Sequence, residues 1–188
     1  MPIVYICVYS AAALIRFVAE LAKGKTPIIA GTGSNDTAYA LDLVEHACKA
    51  GADGVLSVTP YYNKCTGDGL VAHYTAVAKA TPLPIIAYNV PGRTGVNMLP
   101  KTFAKIAEID NIVAIKEACG NISQIAEVAA LTRGKLDIYS GNDDQIVPIM
   151  SLGGKGVISV LSNLVPKETH DMTKLGLEGN FKDAAALQ

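Results

Sequence analysis

Asn111-Ile112-Val113-Ala114-Ile115-Lys116-Glu117-Ala118-Cys119-Gly120 holds an apolar run, Ile112 to Ile115, that ends on a lysine, Lys116. The run reads as a buried strand, and an ammonium group at its end is costly to bury without a partner. The same cost lowers the amine's pKa and makes it a nucleophile toward a carbonyl carbon. A lone strand-end lysine can also snorkel to solvent at the mouth of the strand. The rest of the chain decides between the two.

Working outward, similar β-rich runs recur at Pro27-Ile28-Ile29-Ala30, Gly54 to Thr59, Pro84 to Tyr88, Leu136 to Ser140 and Gly156 to Val160. They are apolar throughout, as suits parallel strands covered on both faces. Helical periods separate them. Ala40, Leu43, Val44, Ala47 and Cys48 share one helix face, closed by Gly51 as a left-handed cap. Leu70, Tyr74, Val77 and Ala78 form a second stripe, and Ile122, Ile125, Ala126 and Ala129 another. Pro100 suits a first helical position before Phe103, Ile106 and Ala107, while Pro148 should bend or shorten the helix around it.

Strand, helix, strand at this spacing predicts right-handed β/α units. An open doubly wound sheet and a (β/α)₈ barrel both fit. Gly31-Thr32-Gly33 is only a fragment of a dinucleotide-binding fingerprint. Polar and aromatic residues instead crowd the ends of several strands: Thr59 to Asn63, Tyr88 to Arg93, Lys116-Glu117 and Gly141 to Asp144. Barrel active sites are built in that way, so the fold class expected is α/β, a (β/α)₈ TIM barrel. Six strands are clear, Pro2 to Tyr9 being either a seventh or an apolar tail. A complete barrel takes ~250 residues, and this chain has 188. The barrel is expected to be incomplete.

Half the residues are hydrophobic and the formal net charge is −1, a balance that points to neither a nucleic-acid nor a membrane partner. Four scattered cysteines, Cys7, Cys48, Cys65 and Cys119, read as free thiols in a reducing compartment, with neither a disulfide frame nor a metal site. The apolar opening, Met1 to Leu14, lacks the basic start of a signal peptide and is too short to span a bilayer. A cytoplasmic protein is expected.

Five segments, in order and in spacing, resemble the dihydrodipicolinate synthase family. They are Val58-Thr59-Pro60-Tyr61-Tyr62-Asn63, Tyr88-Asn89-Val90-Pro91-Gly92-Arg93-Thr94-Gly95, Ile115-Lys116-Glu117-Ala118, Ser140-Gly141-Asn142-Asp143-Asp144 and Gly156-Val157-Ile158-Ser159-Val160. The resemblance runs from about Ala11 to the C-terminus, so residues 1–10 are set apart from a barrel domain over 11–188. It implies strands three to eight of the family barrel and a lyase of the class I aldolase type. Pyruvate and aspartate semialdehyde would be the substrates, in lysine and diaminopimelate biosynthesis, with no cofactor and in a homo-oligomer, a dimer or tetramer. The nearest alternatives are a sibling pyruvate-dependent lyase or aldolase, and a noncatalytic fragment or partner subunit.

The resemblance also assigns roles. Lys116 would form the Schiff base with pyruvate. Tyr88, ending the neighbouring strand, would shuttle protons, and Tyr62 would complete a neighbouring subunit's relay. Arg93 would hold the aspartate semialdehyde carboxylate with a bidentate fork that lysine cannot match; sibling lyases acting on sialic or sugar acids lack it. Gly141 and Ile158 would line the pyruvate pocket with their backbones, Thr94 and Gly95 would shape the arginine loop, and Tyr61 would pack at an interface. Asp143 and Asp144 read as caps of the following helix.

Two departures stand out. The family's Gly-Thr-Thr-Gly-Glu segment, whose threonines bind the pyruvate carboxylate and pass protons, has no counterpart here. Residues 1–10 stand in its place, before a family-like helix at Ala13 to Lys23, and the chain also stops short of the family's C-terminal helices. A barrel truncated at both ends exposes sheet edges, and loss of an acid–base group typically costs about 10²–10⁴-fold in rate, so weak or absent turnover is expected. In lysine-inhibited relatives an asparagine and a glutamate bind the inhibitor. Asn35 matches the first and Tyr39 replaces the second, so little feedback by lysine is expected.

Overall fold

The computed structural model describes residues 8–188, with side chains from Ala13 onward. Each apolar run bounded by turn residues becomes a strand: β1 (Ile29–Gly31), β2 (Gly54–Val58), β3 (Ile85–Asn89), β4 (Ile112–Glu117), β5 (Asp137–Ser140) and β6 (Gly156–Val157). They form one parallel sheet whose spatial order is the order of the sequence. The helices α1 (Val8–Ala22), α2 (Thr37–Lys49), α3 (Gly67–Lys79), α4 (Pro91–Thr94), α5 (Pro100–Ile106), α6 (Ile122–Thr132), α7 (Ile146–Ser151), α8 (Pro166–Leu177) and α9 (Phe181–Leu187) follow in turn. These are six of the eight strands of a (β/α)₈ barrel. The expected helix at Ala13 is α1, which already includes Val8 and Tyr9; the rest of the Pro2–Tyr9 segment, residues 2–7, lies outside the described residues.

Local chemistry sets the helix ends. Asp36, Thr66 and Asn121 accept backbone N–H bonds at the starts of α2, α3 and α6, satisfying donors that the first turn leaves open. Gly51 follows α2 with φ of +84°, a conformation glycine adopts without a Cβ penalty. Pro148 sits within α7, which is only six residues long, and so shortens its helix as expected. Gly33 has a packing duty. A Cβ there would meet the Val58 backbone nitrogen at 2.5 Å, so the Gly-x-Gly fragment lets two chain segments cross closely.

The core lies between sheet and helices. Val55, Ile85, Ala87 and Ile115 of the sheet pack with Val44, Leu70, Tyr74, Phe103, Ile106 and Ile125 of the helices, all buried. Each of the buried valine, leucine, isoleucine and phenylalanine side chains is worth roughly 1.5–3 kcal/mol of burial. A second cluster, Ile146, Val147, Met150, Met172 and Ala184, joins α7, α8 and α9. The other face of the sheet departs from the expectation of burial on both sides. Ile86, Tyr88 and Tyr139 are only half-buried there, and a cavity of about 470 Å³ is lined by Ile29, Leu56, Ile86, Tyr139 and Val157, with Leu14, Ile15 and Val18 of α1. Side chains of a closed barrel fill this interior in layers, whereas here β1 and β6 are edges.

Strand β6 is shorter than the run Gly156 to Val160. Pairing ends with the Ile158 N–H bonded to the Ser140 carbonyl at 2.9 Å. Ser159 then accepts the Ser162 N–H through its hydroxyl, and a short 3₁₀ turn follows at Leu161–Asn163. Local side-chain bonds of this kind compete with the ladder. No helix among the described residues is long and apolar enough to cross a membrane.

Candidate active site

The register of β3 against β4 decides what stands beside Lys116. Ile85 pairs with Ile112 but Ile86 pairs with Ala114, so the ladder skips Val113. Without that extra residue Lys116 would face Asn89; with it, Lys116 faces Tyr88. Val58, Tyr88, Lys116, Tyr139 and Gly156 thus form one row across five strands. Strand alternation sends this row to the open face and the next row, Asn89 and Glu117, to the helix-covered face.

Lys116 does not snorkel. It is 8% exposed, and its Nζ lies 4.3 Å from the centre of the Tyr88 ring. Burial holds the amine below the usual lysine range, an effect that the negative charge of Asp143 partly offsets. The ring's negative face also favours the protonated form, so the group rests between two opposing influences. Its aliphatic stem runs against Gly141: a Cβ at that position would sit 3.1 Å from Lys116 Cε, 3.2 Å from Cγ and 2.8 Å from the Ala118 Cβ. The Gly141 N–H donates to the Glu117 carbonyl at 2.8 Å, fixing that close approach.

Asp143 caps something other than its own helix. One carboxylate oxygen accepts the Val160 and Leu161 N–H groups at 3.2 and 3.0 Å, ordering the turn after β6. The other is buried without a hydrogen-bond partner among the described residues. Asp144 is exposed, and neither residue makes a side-chain cap at Asp143–Gln145. Ile158, beside that turn, lines the cavity next to Tyr139.

Arg93 sits on α4, directly after β3, exposed and with no ion pair among the described residues. Thr94 and Gly95 do shape this segment. The Thr94 hydroxyl donates to the Val90 carbonyl, and Gly95 ends the helix at φ +69°. The Tyr62 N–H donates to the Thr94 carbonyl at 3.0 Å, tying the tyrosine loop to the arginine helix. Tyr62 itself is 84% exposed, with φ of +70°, a conformation uncommon for a bulky residue and one that holds the ring away from its own body. Lys116, Tyr88 and Gly141 are therefore in contact, Ile158 adjoins them across β5, and Arg93 and Tyr62 stand outward on linked loops. The Asn35 carbonyl accepts from the side chain of Asn63, the residue after Tyr62, and the Tyr39 hydroxyl is buried without a hydrogen-bond partner among the described residues.

The sequence reading assigned no role to Glu117 or Asn89, both 0% exposed. Burial pushes the Glu117 carboxyl above its ordinary range, and hydrogen bonds from Asn89 and Cys119 pull it back. The neighbouring Cys119 thiol is pushed up to about 12 by burial and by the Glu117 charge, so it stays protonated. The signal was present in the alternation: the residue after Lys116 must face the helices, where a carboxylate needs donors.

A buried amine at a strand end, a tyrosine ring against it and a glycine that admits its stem can attack a carbonyl and carry the resulting imine. The profile of the Dihydrodipicolinate synthetase family matches residues 7–188. The 4-hydroxy-tetrahydrodipicolinate synthase of Clostridium tetani is 55% identical over 175 residues, covering 93% of this chain and 60% of that protein. The same enzyme of Lachnoclostridium phytofermentans is 58% identical over the same length, with the same coverage. The crystal structure of chloride-inhibited dihydrodipicolinate synthase from Acinetobacter baumannii, complexed with pyruvate, superposes with a TM-score of 0.94 at 41% identity, covering 97% of this chain and 62% of that one. The chain thus spans about 60% of the length of the curated relatives it matches. On the site, the sheet and these likenesses together, the chain belongs to the dihydrodipicolinate synthetase family.

Proposed function

We propose that the chain carries the Schiff-base centre of a 4-hydroxy-tetrahydrodipicolinate synthase, with Lys116 as the nucleophile. The observation that carries this reading is the Lys116 amine, desolvated at its strand end with Nζ 4.3 Å from the Tyr88 ring centre. The neutral amine attacks the ketone carbon of pyruvate, and the carbinolamine loses water to give the imine. Loss of a methyl proton gives the enamine, whose carbon forms a bond to the aldehyde carbon of aspartate semialdehyde. The amino group of the second substrate then displaces Lys116 as the ring closes. Tyr88 moves protons beside the amine, with Tyr62 as its relay partner in an oligomer, and the backbones of Gly141 and Ile158 face pyruvate. Arg93, exposed on the linked α4 and without an ion pair among the described residues, receives the second carboxylate. The free cysteines among the described residues fit the cytoplasm as the compartment. Since the threonine pair of the proton relay has no counterpart in these 188 residues, overall turnover by them alone falls about 10²–10⁴-fold below that of full-length relatives.

Incubation with pyruvate and borohydride tests the first step, because reduction traps the imine whether or not later proton transfers work. Peptide mass spectrometry should find the adduct on Lys116; labelling elsewhere, or none, would sink the reading. Arg93→Ala should leave this adduct unchanged and weaken only the step that consumes aspartate semialdehyde. The pH dependence supplies a further check. The negative charge of Asp143 raises the Lys116 pKa, so Asp143→Asn leaves burial less opposed. The midpoint of the pH–labelling curve should then move to lower pH, and an upward shift would contradict the geometry.

A further inference from the structure

The one fully buried carboxylate among the described strand residues stands next to the reactive lysine and accepts two hydrogen bonds from one asparagine. Asn89 and Glu117 are opposite each other across β3 and β4, one step beyond Tyr88 and Lys116. Asn89 Nδ2 donates to Glu117 Oε1 at 3.0 Å and Oε2 at 3.2 Å, and to Asn97 Oδ1 at 3.0 Å. Asn89 Oδ1 accepts the Met98 N–H at 2.9 Å, and Glu117 Oε1 also accepts the Cys119 N–H at 2.8 Å. Asn97 continues the chain to Gln124 of α6 at 2.8 Å. Both amide hydrogens and the carbonyl of Asn89 are thereby used, so its orientation is fixed.

An apolar pair would hold two strands together at less cost, since a buried carboxylate must be compensated by donors alone when no cation is at hand. None of the ion pairs among the described residues includes Glu117. What the polar pair adds is direction. It fixes the ends of both strands that carry the site row, and through Met98 and Asn97 it draws in the segment that follows Arg93. We infer that Asn89 and Glu117 are positioning residues, an amide–carboxylate clamp that sets Lys116, Tyr88 and the arginine segment in one geometry. The clamp rests on the proposed role of Lys116.

The test exchanges the two functional groups. Glu117→Gln sets donors against donors, and Asn89→Asp sets two buried carboxylates face to face. In the double variant the new aspartate keeps an oxygen for Met98 and offers the other to the new glutamine, whose oxygen keeps Cys119. The readout is the borohydride-trapped pyruvate adduct on Lys116, followed against pyruvate concentration well below each variant's melting midpoint. Each single variant should slow the limiting rate by about 10- to 100-fold, as misplacement by an ångström does, with half-saturation by pyruvate little changed. The double variant should recover most of the rate. Single variants that melt earlier yet label at the wild-type rate would overturn the inference, leaving a structural pair only. If the single variants fail to fold, the double variant decides: recovery of both fold and labelling supports the clamp, and recovery of neither overturns it. A wild-type chain that folds but never labels would remove the Schiff-base reading, and the clamp with it.

Discussion

Lys116→Ala should abolish the trapped pyruvate adduct and lower condensation by about four orders of magnitude or more, the scale on which enzymes respond to losing their nucleophile. No other lysine among the described residues shares its setting: all the rest are exposed, whereas Lys116 is 8% exposed. Lys116→Arg should fail equally, because a guanidinium stays charged. The alanine variant should also lose a pH dependence of stability. The folded Lys116 has its pKa held down by burial, so between that value and the ordinary ~10.4 the unfolded chain binds more protons. Wild-type stability therefore rises with pH through this window, and the alanine variant's should lack that slope. Denaturant melts at several pH values would show it. Persistent labelling in Lys116→Ala would place the nucleophile elsewhere.

Gly141→Ala should have the next largest effect, although it removes no functional group. The added methyl meets the Ala118 Cβ at 2.8 Å and the Lys116 stem at 3.1 and 3.2 Å. The strand cannot retreat freely, since its Gly141 N–H is held by the Glu117 carbonyl at 2.8 Å. The lysine must rotate instead, and its amine leaves the Tyr88 ring. Labelling of Lys116 should fall about 100-fold, the usual outcome of an ångström-scale misplacement, while overpacking costs about 1–3 kcal/mol of stability. Calorimetry beside the trapping assay separates the two effects. Wild-type labelling in Gly141→Ala would mean that the stem has slack that its contacts do not suggest.

Much of this was legible from residue types. The apolar runs gave the strands to within one or two residues, except at β6, where serine hydroxyls and Asp143 divert the chain into a turn. Lys116, Tyr88 and Gly141 came together as expected because neighbouring parallel strands deliver their ends to one mouth. The skipped residue at Val113 was not legible: composition does not say where a ladder gains a residue, and that gain decides whether Lys116 faces a tyrosine or an asparagine. The role of Asp143 was hidden for another reason. Its partners, Val160 and Leu161, lie some way along the chain, and helix-start statistics see only the nearest turn. Strand alternation did carry the burial of Glu117, but the asparagine that makes that burial tolerable is itself oriented by a segment around Met98 and Asn97 whose path only the fold reveals.

The agreement between spatial strand order and sequence order bears on how the chain acquires its shape. Each strand needs only the β/α unit before it as a template, so contacts stay local and loops close over short distances. The molecule behaves as a short one-dimensional stack, whose stability is approximately a sum over neighbouring units. The separate cluster joining α7, α8 and α9 is the last layer of that stack. Synthesis from the N-terminus delivers the units in the order in which they pair, so the tyrosine strand emerges before the lysine strand.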